Sequence, residues 1–121
     1  MRKHSCRLLL IALVMIVIGA DRPDAETDDK AALSQLTCGL AAEWARYGIR
    51  VNALCPGYIE TPLNREFFAS PTGAALIKRI PQRRLGQLCD LDAPLGLLCS
   101  DASRYMTGSV IVVDGGHLVS S

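Results

Sequence analysis

The sequence predicts an α/β fold, and three observations predict it. A helix-period run of large apolar residues ends in a glycine, a short alternating stretch follows that glycine directly and stops at Pro56-Gly57, and a β-branched run near the C-terminus closes on Asp114-Gly115-Gly116. Helix followed at once by strand, with a second strand that is continuously apolar, is the pattern of parallel strands joined by helices.

Residues 1–20 differ in kind from the rest. Arg2, Lys3 and Arg7 precede a run from Leu8 to Ala20 without a polar side chain, and no acid occurs before Asp21. The run is too short to cross a hydrocarbon core as a helix but matches the apolar region of a secretory signal, with Gly19 and Ala20 near a cut site. Ile18 stands where the peptidase prefers a small side chain. Three readings stay open: a signal-like leader, a buried strand or helix of a larger core, or an artefactual segment. Residues 21–29, DRPDAETDD, read as an acidic linker or exposed turn. Asp28 or Asp29 supplies helix-start chemistry, so a helix is expected from about residue 29. Leu33, Leu36, Leu40, Trp44 and Tyr47 recur at spacings of three and four and are expected to line its buried face, and Gly48 to end it as a left-handed cap.

Ile49–Leu54 reads as a short strand feeding the Pro56-Gly57 turn. Pro62, Pro71, Gly73 and Pro81 break residues 60–85 into short helices within a loop. Leu91–Leu98 is apolar enough to pack on a sheet as a helix, with Asp90 or Asp92 capping its start and Ser100-Asp101-Ala102-Ser103 closing it. Ser109–Val113 is expected to be a strand buried on both faces of a parallel sheet.

The chain of 121 residues has room for one domain, and 50% hydrophobic against 21% charged residues places it among globular proteins. A formal charge of +1 leaves no basic excess to neutralise phosphates, and the aromatic residues are too few for a base-stacking platform, so nucleic acid is not an expected partner. The five cysteines, at 6, 38, 55, 89 and 99, contain no C-x-x-C pair and read as free buried thiols; loss of residues 1–20 would leave four, which could pair. His4 and His117 are too isolated to hold a metal, and His117 reads as a solvated or packed side chain. There is no G-x-G-x-x-G, no G-x-x-x-x-G-K and no H-E-x-x-H.

Several segments, taken in order, carry a resemblance: Lys30-Ala31-Ala32-Leu33; Leu40-Ala41-Ala42-Glu43; Gly48-Ile49-Arg50-Val51-Asn52; Pro56-Gly57-Tyr58-Ile59-Glu60-Thr61; Tyr105-Met106-Thr107-Gly108; and Val113-Asp114-Gly115-Gly116. From Lys30 to about Leu118 the chain resembles the C-terminal half of the short-chain dehydrogenase/reductase family, in the style of its 3-oxoacyl-carrier-protein-reductase-like members. The resemblance implies the C-terminal portion of a Rossmann-type doubly wound parallel sheet, incomplete here, behind the leader (1–20) and linker (21–29). It also implies NAD or NADP as cofactor, a small-molecule alcohol or ketone as substrate, and a cytoplasmic location unless residues 1–20 act as an export signal.

In that family a tyrosine phenol exchanges the proton, a lysine four residues later lowers its pKa and holds the ribose, and a serine orients the carbonyl. Lys30 falls at the lysine position, but Glu26 stands where the tyrosine belongs. A carboxylate with a reference pKa of about 4.3 is ionised at neutral pH and cannot donate that proton. The run Leu8–Ala20, where the serine would fall, contains none, and the glycine-rich turn that cradles the pyrophosphate is not in the sequence. For the nicotinamide pocket the resemblance implies Pro56 and Gly57 for close backbone approach, Ile59 for backbone hydrogen bonds to the carboxamide, and Thr61 for a hydroxyl. The resulting expectation is a truncated, catalytically impaired oxidoreductase of this family with Lys30 as a relic. The alternative is an exported or membrane-associated interaction protein using the remnant as a packing module. Family members associate through the lysine-bearing helix and the last helix and strand, so a homo-oligomer, or an aggregate formed through open core surface, is expected.

Overall fold

The computed structural model describes residues 23–120, with side chains from Ala31 onward. The expected leader at 1–20 lies outside the described residues. The first helix, α1, spans Pro23–Trp44 and so begins within the stretch expected to be a linker. Proline suits the first helical turn, where its missing N–H has no partner to lose, and Asp24 and Glu26 stand close to the positive end of the helix dipole. Asp28 and Asp29 are therefore interior positions rather than caps.

At its other end α1 behaves as the sequence predicts. It tightens into a 3₁₀ turn at Ala45–Tyr47 and stops at Gly48, whose φ of 75° is left-handed. The Gly48 N–H donates to the Ala45 carbonyl at 2.9 Å. The buried face is the expected one only in part: Leu33 is buried and Leu40 and Trp44 are half-buried. Leu33, Thr37 and Ala41 are 5%, 2% and 4% exposed, whereas Leu36 and Tyr47 are 49% and 63% exposed. The buried stripe keeps a spacing of four and narrows to small side chains, which lets α1 approach the loop at Gly108 closely. The Thr37 hydroxyl is tolerated in the core because it donates to the Leu33 carbonyl at 2.8 Å.

Strand β1 spans Ala53–Pro56 and β2 spans Val110–Val113. They pair in parallel with Ala53 opposite Val110 and Pro56 opposite Val113. The strand expected over Ile49–Leu54 is thus shorter and shifted, because Val51 and Asn52 bond to a loop instead of a ladder. The Thr107 hydroxyl accepts from the Val51 N–H at 3.1 Å, Asn52 Nδ2 donates to the Met106 carbonyl at 3.1 Å, and Asn52 Oδ1 accepts from the Ser109 N–H at 3.1 Å. Two segments more than fifty residues apart in the chain form one hydrogen-bonded unit that sets the register of the sheet. Arg50 extends it, donating from Nη2 to the Leu98 carbonyl at 2.8 Å and from Nη1 to the Met106 carbonyl at 3.4 Å.

The crossover contains α2 (Arg65–Ala69), α3 (Pro71–Ile77), a 3₁₀ turn at Leu88–Leu91 and α4 (Asp92–Cys99). Ser70 caps α3, its hydroxyl accepting from the Gly73 N–H at 3.2 Å with Pro71 in the first turn. Asp90 and Gln87 form a reciprocal capping box over the 3₁₀ turn that leads into α4. Behind α4, Ser103 is wholly buried and its hydroxyl lies within hydrogen-bonding distance of the Leu97, Leu98 and Ser100 carbonyls. Leu54, Ile80 and Leu98 join Leu33 and Val51 in an aliphatic core.

Two further expectations are corrected. β2 is not buried on both faces, since Val110 and Val112 are 38% and 45% exposed and β1 is the only strand paired with it among the described residues. Among the described residues the thiols are not buried either: Cys38, Cys89 and Cys99 are free and exposed and Cys55 is half-buried, while Cys6 lies outside the described residues. α1 turns Cys38 outward one residue after buried Thr37, and Cys99 follows buried Leu98 in the same way. Among the described residues no helix is long and apolar enough to cross a membrane.

Candidate functional site

A cleft of about 330 Å³ opens beyond the C-terminal ends of β1 and β2. Its walls are Tyr58 and Ile59 from the turn after β1, Gln82, Arg84, Gly86 and Asp90 from the segment before α4, and residues 112–116 at the end of β2. In parallel α/β sheets this end of the strands is where ligands bind.

The turn after β1 is held from both sides. Gly57 donates to the Val113 carbonyl at 2.9 Å, and a Cβ on it would lie 2.6 Å from Asp114 Cβ and 2.7 Å from Asp114 Cα. Only glycine lets the two strand ends approach this closely. Beyond it, Ile59 and Gly86 form a parallel bridge, with Gly86 N–H donating to the Tyr58 carbonyl and Glu60 N–H to the Gly86 carbonyl, both at 2.8 Å. Glu60 reinforces the bridge by accepting from Gln87 Nε2 at 2.9 Å and from Arg65 Nε at 3.1 Å. The hydrogen bond from Gln87, and then that from Arg65, holds the Glu60 carboxyl below its ordinary range. Asp90 is held low in the same way, first by Arg84 at 2.7 Å and then by the Gln87 N–H at 2.8 Å.

Of the residues that the sequence singles out, Ile59 lies on the cleft wall. Pro56 is buried as the last residue of β1, Gly57 forms the strand-end contact, and Thr61 is half-buried on the same turn. Positions 26 and 30 lie one helical turn apart on α1, with side chains outside the described part. His117 packs edge-on against Tyr58 at 5.2 Å between ring centroids, in keeping with a packed histidine. Sequence reasoning missed Asn64, Glu60, Gln87 and the Arg84–Asp90 pair. Asn64 directly before a helix reads as an ordinary cap, and the partners of the others come from distant segments.

Comparison with known proteins places the chain. A family model described as Enoyl-(Acyl carrier protein) reductase matches residues 1–117. The chain belongs to the short-chain dehydrogenase/reductase family, and its described part is a portion of that family's Rossmann fold. The chain is 36% identical over 117 residues to a 2-dehydro-3-deoxy-D-gluconate 5-dehydrogenase from Pseudoalteromonas atlantica, covering 96% of this chain and 46% of that protein. It is 46% identical over 88 residues to 3beta-hydroxysteroid dehydrogenase 1 from Eggerthella lenta, covering 72% of this chain and 34% of that protein. Among solved structures, a gluconate 5-dehydrogenase from Burkholderia cenocepacia in complex with NADP and tartrate superposes with a TM-score of 0.75 at 36% identity, over 88% of this chain and 44% of that one. The chain thus spans less than half the length of these relatives.

The family's cofactor is NAD(P), and the polar groups on the turn suit the carboxamide of its nicotinamide. A primary amide needs one donor and one acceptor. The Ile59 N–H has no partner among the described residues, and the Ile59 carbonyl accepts from Asn64 with one of its two lone pairs, leaving the other. The Thr61 hydroxyl is a third polar group on the same turn.

Proposed function

We propose that this chain carries the nicotinamide-side and substrate-loop portion of an NAD(P)-dependent oxidoreductase acting on an alcohol or carbonyl carbon. The observation that carries the reading is Ile59 on the wall of a cleft at the C-terminal end of parallel β1, with a backbone donor and an acceptor lone pair left over. In this reading residues 30–121 are the C-terminal part of the Rossmann domain. Gly57 permits close backbone approach beside Pro56, Ile59 holds the carboxamide, and Thr61 adds its hydroxyl. When bound, the cofactor supplies or accepts the hydride.

The chain by itself is impaired in this reading. Lys30 stands at the position of the family lysine, but Glu26 replaces the proton donor, and one lysine is not a catalytic set. The small-molecule substrate is an alcohol or ketone, as with the dehydrogenases the chain resembles. Val110 and Val112, half-exposed on β2, favour self-association into a homo-oligomer or aggregate.

The test is an NMR titration of the full chain with NADPH, NADH and nicotinamide mononucleotide. The Ile59 and Thr61 amide resonances are expected to shift with all three. No shift, or shifts confined to residues away from the turn, would overturn the assignment.

A further inference from the structure

Asn64 occupies the N-cap of α2, where an asparagine side chain ordinarily accepts a hydrogen bond from a free N–H of the first turn and stabilises the helix. Here the side chain makes no such bond. It turns back along the chain: Oδ1 accepts from the Thr61 N–H at 2.8 Å, and Nδ2 donates to the Ile59 carbonyl at 2.8 Å. The Asn64 N–H also donates to the Thr61 carbonyl at 3.2 Å, and its own carbonyl accepts from the Phe68 N–H at 3.1 Å, the first turn of α2. One residue ties the start of α2 to both backbone groups that flank Glu60.

The two side-chain bonds are directional in opposite senses. The amide oxygen needs a donor and finds Thr61, and the amide nitrogen needs an acceptor and finds Ile59, so neither can reverse without losing both. The Ile59 carbonyl is thereby fixed in direction with one lone pair taken, and the Thr61 N–H is removed from the set of free donors. Among the groups that remain on the turn are the Ile59 N–H, the second lone pair of the Ile59 carbonyl and the Thr61 hydroxyl. A helix that forgoes its side-chain cap for this arrangement has exchanged local stability for the orientation of a loop.

We infer that Asn64 is a positioning residue that aims the Ile59 carbonyl at the amino group of a primary carboxamide, and so makes this turn select carboxamide over isosteric groups that lack N–H donors. The inference rests on the proposed nicotinamide-side function. Asn64 touches no reacting atom; it acts through Ile59.

The experiment compares nicotinamide mononucleotide with its 3-acetylpyridine analogue, which has the same charge and differs by a methyl in place of the amino group. Dissociation constants are measured by NMR titration of the full chain and of two variants. The unaltered chain is expected to prefer the carboxamide by about fivefold, the range of one net hydrogen bond. Asn64→Asp keeps the acceptor for Thr61 but sets an oxygen against the Ile59 carbonyl, so the preference should vanish while the Thr61 amide stays protected from hydrogen exchange. Asn64→Ala should lose both the preference and the protection. If Asn64→Asp unfolds, Asn64→Ser, too short to span both groups, carries the same comparison. A preference that survives in Asn64→Asp or in its Ser substitute overturns the inference and leaves the proposed function standing. Binding of neither mononucleotide by the unaltered chain overturns the proposed function and this inference with it.

Discussion

Replacing Gly57 with alanine adds one methyl group at the point where the ends of β1 and β2 meet. That carbon would lie 2.6 Å from Asp114 Cβ, 2.7 Å from Asp114 Cα and 3.3 Å from the Asp114 carbonyl oxygen. Carbon–carbon contact is comfortable only from about 3.5 Å, so the two strand ends must part by roughly 0.9 Å. Asp114 is poorly placed to give way. Its Oδ1 accepts from the Gly116 N–H at 2.8 Å and its Oδ2 from the Leu118 N–H at 2.7 Å, and the Gly57 N–H closes the last rung to Val113. Overpacking of this kind costs about 1–3 kcal/mol. For a chain of this size a loss of about 2 kcal/mol lowers the melting temperature by roughly 8–12 °C. Gly39→Ala is the control. Gly39 lies within α1 with nothing within 4 Å of a built Cβ, so alanine there should gain about 0.8–1 kcal/mol. Both changes restrict the unfolded chain in the same way, so the opposite signs isolate the contact with Asp114. Thermal and urea unfolding followed by circular dichroism read both variants. Equal stability of Gly57→Ala and the unaltered chain, or two variants moving in the same direction, would refute the reasoning.

Three further outcomes are expected. Glu60 and Asp90 have folded pKa values below their ordinary 4.5 and 3.8, so their contribution to stability is present above those values and lost as pH falls through the lower folded ones. Melting temperature measured from pH 7 to pH 3 should fall most steeply below about pH 4.5, and Glu60→Gln with Asp90→Asn should flatten that fall. Arg50→Met should cost about 2 kcal/mol in urea unfolding, because it leaves the carbonyls at Leu98 and Met106 without their charged donor, and Arg50→Lys should recover less than half, since an ammonium cannot reproduce the guanidinium fork. Purified chain should turn over NAD(P)H with ketones or 3-oxoacyl thioesters no faster than Lys30→Ala does; a rate clearly above that control would show that Glu26 does not disable the site.

The part of the molecule legible in the sequence is the part decided by neighbours in the chain. Gly48 ends α1 because a left-handed residue must follow the last turn, and that requirement is local. The prolines and glycine between residues 60 and 85 divide the crossover into short helices, and the β-branched run Val110–Val113 is a strand for equally local reasons. The order of short motifs was enough to identify the family, because each motif keeps a turn or strand end at fixed spacing.

Tertiary structure alone decided what those motifs do. Leu36 has the right period for the buried face but lies outside it, since the close approach of α1 to the Gly108 loop favours the narrower stripe of Leu33, Thr37 and Ala41. Val51 and Asn52 look like strand residues, yet their hydrogen bonds go to Thr107, Met106 and Ser109, partners that no local pattern can name. The site divides in the same way. The turn that holds Pro56, Gly57, Ile59 and Thr61 is a local motif and legible in the chain, whereas the hydrogen bonds that tie Ile59 and Thr61 to Asn64 come from a side chain that local rules assign to a helix cap. Propensity and spacing act over a few residues, while the direction of a carbonyl is set by whichever donor the folded chain brings to it.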